Sequence, residues 1–138
     1  MKAKRLGIFP NLSKEKVHIA LPEFIAMCRD WGLEPLLPED VAAEYGCGGF
    51  DKESIIGMRN DYLQPLDAAV SLGGDGTLLQ MARYTVPAGV PAFGINFGKL
   101  GFLAEIDLPG MRKAISKLAQ GNYTIERRKM LQATVISE

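Results

Sequence analysis

Ala68-Ala69-Val70-Ser71-Leu72-Gly73-Gly74-Asp75-Gly76-Thr77-Leu78-Leu79 is the stretch that decides the fold. Residues 68–72 show no alternation of polar and apolar positions, the pattern of a parallel strand covered on both faces. Three glycines around one aspartate then break the strand. Leu78, Leu79, Met81 and Ala82 follow as one face of a helix. A strand that hands over to a helix through glycines is the unit of an α/β sheet, and ligands bind at the carboxyl ends of such strands.

Working outward, the same alternation recurs. Arg5 to Phe9 reads as a short buried strand ended by Pro10-Asn11. Ser13 can cap the next helix, whose apolar positions are Val17, Ile19, Ala20, Phe24, Ile25, Met27 and Cys28. Pro22 should kink that helix or restart it. Trp31-Gly32 ends it, Glu34 to Leu37 reads as a strand, and Pro38-Glu39-Asp40 opens a short helix to Tyr45. Gly46 to Asp51 reads as a flexible glycine-rich connection, and Ile55 to Leu63 as weakly helical. Val90 to Ile95 is a second buried strand, ending in Asn96-Phe97-Gly98 and followed by Gly101 to Glu105. Pro109 starts a helix through Ala119 that Gly121 stops. Tyr123 to Arg128 and Leu131 to Ile136 alternate like antiparallel strands. The expected architecture is an open, mostly parallel α/β sheet with helices on both faces, over residues 1–122. Residues 123–138 would begin a second, β-rich domain.

The turn at Gly73 to Thr77 suits phosphate. Glycines permit positive φ and let backbone N–H groups approach an anion closely. The helix beyond offers free N–H groups and a positive dipole end. Asp75 is the unusual member, because a carboxylate repels phosphate unless it has another task. It can coordinate Mg²⁺. It can also accept the proton of an attacking hydroxyl. Equally, Asp75 can be a turn residue or a helix cap. Thr77 can offer its hydroxyl to phosphate or to the helix end. The run is no dinucleotide fingerprint, since Leu79 occupies the place of the third glycine, and no P-loop, since no Lys-Ser/Thr follows.

Composition narrows the classes. The 138 residues suffice for one domain with its own core. Sixteen basic and sixteen acidic residues leave no net charge, so no nucleic-acid partner is expected; Arg127-Arg128-Lys129 alone clusters basic charge. No apolar run approaches a membrane span and no signal peptide is visible, so no membrane partner is expected and the cytoplasm is the expected location. Cys28 and Cys47 form no metal or disulfide pattern, and Cys28 reads as a core residue.

Gly73-Gly74-Asp75-Gly76-Thr77 resembles a signature of NAD kinases, of diacylglycerol and sphingosine kinases and, with Ser last, of phosphofructokinases. Gly94-Ile95-Asn96-Phe97-Gly98-Lys99-Leu100-Gly101-Phe102-Leu103 closely resembles the segment that follows this turn in NAD kinases. Arg127-Arg128-Lys129-Met130-Leu131 is similar to the start of that family's second domain. The resemblance implies transfer of a phosphoryl group from ATP, with Mg²⁺, to the adenosine 2′-hydroxyl of NAD, giving NADP. Asp75 would activate the hydroxyl and possess any Mg²⁺ contact. Gly74, Gly76, Thr77 and Asn96 would line the nucleotide site. Phe102 would pack on the NAD adenine, or else be a core phenylalanine. The partners implied are NAD and ATP, in a homo-oligomer (dimer or tetramer).

Two departures qualify the resemblance. Gln80 stands where the family often has a basic residue, five positions after the aspartate. The chain also stops at Glu138, just after the first strand of the family's β-rich second domain would begin, and so without that domain's Asn-Glu or Asn-Asp motif. Taken alone it is expected to bind nucleotide weakly and turn over little. The alternatives are a lipid kinase domain of the diacylglycerol kinase type, which shares only the first motif, and a non-catalytic nucleotide-binding fragment.

Overall fold

A computed structural model describes residues 3–57, 66–97, 106–107 and 109–126. The strands are β1 (Arg5–Pro10), β2 (Glu34–Pro38), β3 (Gly48–Phe50), β4 (Ala68–Gly73), β5 (Ala92–Asn96) and β6 (Ile106–Asp107). The helices are α1 (Glu15–Asp30), α2 (Glu39–Ala42), α3 (Lys52–Gly57), α4 (Asp75–Ala88) and α5 (Met111–Gln120), with a 3-10 turn at Ala43–Tyr45. All strands lie in one sheet, ordered β3-β2-β1-β4-β5-β6, and every pairing is parallel.

That order has a functional consequence. From β1 the chain builds outward to β3, then returns to the other side of β1 and builds outward through β6. The reversal falls between β1 and β4, where Leu6 pairs with Ala68 and Pro10 with Leu72. Connections leave these two strands in opposite directions, which opens a crevice at their carboxyl ends.

Helices cover both faces, as the apolar runs require. Leu6, Ile8, Val70, Leu72 and Ile95 pack with Val17, Leu21 and Phe24 of α1 and with Ile115 and Leu118 of α5. Phe9, Leu36 and Ala69 pack with Ile55 of α3 and Met81 and Ala88 of α4. Val70 and Ala69 thus serve opposite layers, and both are fully buried. At the amino end, the Asp67 carboxylate accepts from Lys4 N (3.0 Å) and Arg5 N (2.8 Å), holding the start of β1 against the start of β4.

Several local expectations need correction. Gly46 to Asp51 is not simply a connection, because Gly48–Phe50 forms the edge strand β3 beside Leu36–Pro38. A Cβ on Gly49 would lie 2.9 Å from the Glu39 Cα, so glycine there lets α2 press onto the strand. Pro22 neither ends nor splits α1, which continues to Asp30. It is solvent-exposed, while Leu21, Phe24 and Ile25 anchor the helix on its buried side. Ser13 does not cap α1. Its hydroxyl donates to Asn11 Oδ1 at 2.6 Å, and Lys14 occupies the cap position. On α4 the buried face is Met81, Thr85 and Ala88, and Leu79 is half-exposed. The strand β6 was not anticipated. Gly121 stops α5 as expected, at φ 75°. Tyr123 to Glu126 has no strand pairing among the described residues, and the rest of the expected second domain lies outside them. No described helix is long and apolar enough to cross a membrane.

Candidate functional site

Two chain segments meet at the reversal point. The first leaves β1 through Asn11. Its N–H donates to Leu72 O (2.9 Å), and its side-chain oxygen accepts from Ser13 N (3.2 Å), closing a tight turn before α1. The second leaves β4 through Gly73 and Gly74. Gly73 O accepts from Phe97 N at 2.8 Å, which ties the turn to the end of β5. Both ends of the crevice are therefore fastened to the sheet by backbone hydrogen bonds.

The glycines of the turn work by absence of bulk, not by positive φ. Among the described residues positive φ occurs only at Gly32, Gly46, Gly89 and Gly121. A Cβ on Gly73 would overlap Thr77 Oγ1 and lie 2.9 Å from Thr77 Cβ and 3.2 Å from Asn11 Cβ. Glycine at 73 thus lets Thr77 fold back over the strand end. Gly74, with φ −117° and ψ −163°, precedes the helix without a side-chain cap bond. A Cβ on Gly76 would meet nothing within 4 Å. That open space lies over the first turn of α4, where the first N–H groups have no acceptor within the helix. The first backbone bond to Gly74 O comes from Leu78 N, at 3.2 Å.

A cleft of about 420 Å³ opens here. Pro10, Asn11 and Lys14 line one wall, and Gly74, Gly76, Thr77 and Gln80 the other. A second cleft of about 280 Å³ shares Pro10, Thr77 and Gln80 with it. That cleft has an apolar floor of Phe9, Met81 and Tyr84 and carries Lys52 and Arg83 at its edge. The Phe9 and Tyr84 rings are stacked, with centroids 6.3 Å apart.

The site residues expected from sequence divide as follows. Gly74, Gly76 and Thr77 come together in the larger cleft. Asp75 is the first residue of α4, half-buried between the two cleft-lining glycines. Asn96 pairs in register with Gly73 at the end of β5, one strand over, and lines neither cleft. Phe102 lies outside the described residues. Asn11 and Lys14 were not singled out as site residues, although their position just after a strand end at the sheet's centre was a usable signal. Among the described residues no three His, Cys, Asp or Glu side chains converge to hold a metal. Neither cysteine lines either cleft. Burial pushes the Cys28 thiol up to about 12, and burial also raises Cys47.

A family model described as the ATP-NAD kinase N-terminal domain matches residues 12–123. The NAD kinase of Thermoanaerobacter sp. (strain X514) is 36% identical over 133 residues, covering 96% of this chain and 45% of that protein. The NAD kinase of Caldanaerobacter subterraneus subsp. tengcongensis is 38% identical over 133 residues, covering 96% and 45%. That of Desulforamulus reducens is 40% identical over 131 residues, covering 95% and 44%. The chain thus spans less than half the length of these curated relatives. The turn at Gly73 to Thr77, the crevice it lines and the match over residues 12–123 agree, and the chain belongs to the ATP-NAD kinase N-terminal domain family.

Proposed function

We propose that this chain is the phosphate-handling domain of an NAD kinase. The observation that carries the reading is the placement of Gly74 and Gly76 in the cleft at the sheet's reversal point, over the open first turn of α4. Those N–H groups would take phosphate oxygens of a nucleotide, with Thr77 beside them. Asp75 would accept the proton of the adenosine 2′-hydroxyl as that oxygen attacks the γ-phosphorus of ATP. One O–P bond forms, the bond from that phosphorus to the bridging oxygen breaks, ADP leaves and NADP is the product. Asn96 and Phe102 would complete the nucleotide contacts.

Among the described residues Asp75 belongs to no group of three His, Cys, Asp or Glu side chains. A Mg²⁺ ion would therefore be held mainly by nucleotide phosphates and water, with Asp75 as one oxygen ligand. Magnesium usually binds in this way, and it would spread the charge on the phosphates. The domain expected from Tyr123 onward would supply further NAD contacts. The reading carries with it a homo-oligomer in the cytoplasm with no nucleic-acid or membrane partner; the balanced charge supports the part that concerns nucleic acid.

Two measurements test the proposal. Calorimetric titration of the chain with NAD and with ATP should detect binding. NADP formation, measured on the protein at the full length of its relatives, should fall in Asp75→Asn by about 10²- to 10⁴-fold, the range of a lost general base. Transfer to a lipid acceptor instead of NAD, or an undiminished rate in Asp75→Asn, would refute it.

A further inference from the structure

Lys14 stands in the wrong place for an ordinary surface lysine. It is the N-cap of α1, a position that favours Ser, Thr, Asp or Asn, and α1 has no side-chain cap bond. Its ammonium also reaches the start of α4, with Nζ 3.7 Å from where a Cβ on Gly74 would be. Lysine is thus held at the N-terminal ends of two helices, where cations are disfavoured, and the carboxylates there are Glu15 in the first turn of α1 and Asp75 in that of α4. Among the described residues its side chain makes no hydrogen bond or ion pair. Of the residues lining the larger cleft, it alone carries charge, and Gln80 opposite is neutral.

The backbone beneath Lys14 is fastened rather than loose. Lys14 N donates to Asn11 O at 3.1 Å, and Asn11 N is bonded to Leu72 O of β4. Lys14 is therefore positioned from the same strand end that carries the glycine turn, although 60 residues separate Lys14 from Gly74 in the chain. A residue that breaks a local rule in a fixed position points to a ligand that repairs the imbalance. An anion between the ammonium and the first N–H groups of α4 would do so.

We propose that Lys14 binds the polyphosphate of a nucleotide in this cleft, closing over the phosphate from the side opposite Gly74 and Gly76. The inference rests on the kinase reading above and adds a residue to it. Lysine contributes a point charge that offsets the Asp75 carboxylate without constraining which oxygen it meets. The polyphosphate can be that of ATP or the pyrophosphate of NAD, and separate titrations distinguish them.

The experiment compares wild-type chain, Lys14→Ser and Lys14→Arg by calorimetry with ATP and with NAD, at low and high salt, alongside thermal melting. Lys14→Ser should weaken binding of at least one nucleotide by about tenfold or more and reduce its salt dependence. The same variant should melt no lower than wild type, because Ser is the better cap. Lys14→Arg should stay within about threefold of wild type. Loss for ATP alone assigns the donor, and loss for NAD alone assigns the acceptor. Equal affinities of wild type and Lys14→Ser for both nucleotides overturn the inference and leave the kinase reading standing. A wild-type chain that binds neither nucleotide overturns both.

Discussion

Gly76→Ala separates folding from binding more sharply than any other change at this site. The new methyl group would sit in open space, with no heavy atom within 4 Å, so the folded chain accommodates it. Gly76 is the second residue of α4, and alanine is preferred to glycine in a helix by up to about 1 kcal/mol. At a first turn about half of that is a fair expectation. For a domain of this size the melting temperature should rise by about 1–3 °C. Yet the methyl group enters the cleft itself, where phosphate must approach the N–H groups of α4. Displacing one charge-assisted hydrogen bond costs about 1.5–3 kcal/mol. Nucleotide affinity should therefore drop by about 10- to 150-fold. Thermal unfolding and calorimetric titration with ATP and NAD read the two effects on one preparation. A variant that binds as tightly as wild type refutes phosphate approach at Gly76, and one that melts well below wild type refutes the open space above it.

Other expectations are checked as directly. Gly73→Ala, unlike its neighbour, should lower stability by about 1–3 kcal/mol in a denaturant titration, because its Cβ collides with Thr77. Asp67→Ala should cost about 1 kcal/mol, since an exposed N–H at Lys4 and a part-buried one at Arg5 lose their acceptor, and should leave nucleotide affinity unchanged because it acts at the opposite sheet end. Cys28 holds its proton more tightly folded than unfolded, so its contribution is intact below pH 9.0 and declines as pH rises toward about 12. Chemical denaturation across that range should show stability falling, with a shallower fall in Cys28→Ala. A thiol reagent near neutral pH should label Cys47 well before Cys28, which is fully buried; equal labelling rates in the folded chain would contradict the packing of α1.

What could be read from sequence followed the strength of local patterns. β4 was legible because five residues without alternation can only be covered on both faces, and Val70 and Ala69 indeed face opposite layers. β3 was not legible, because Gly48-Gly49 carries no strand preference of its own and pairs only because Leu36–Pro38 offers an edge. Pro22 misled because propensity weighs the missing N–H, whereas the buried face around it decides. At the site, the glycine turn stood out in the chain, but Lys14 did not. Its relation to Gly74 exists only through the pairing of β1 with β4, and no periodicity encodes strand order. Of the two properties that make glycine suit this turn, positive φ is not used at Gly73, Gly74 or Gly76, whereas lack of bulk gives close packing at Gly73 and open space at Gly76.

The reversal between β1 and β4 also sets when the cleft can exist. β1 leaves the ribosome before β4, its second partner about sixty residues away, so the seam between them is a late, non-local closure. Asn11 and Lys14 belong to one side of that seam and Gly74, Gly76 and Thr77 to the other. A ligand in the cleft would bridge the two sides and act as a clamp on them. Amide exchange at the β1 and β4 carboxyl ends should therefore slow together when nucleotide binds, while the amides of the β3 edge keep their own rate.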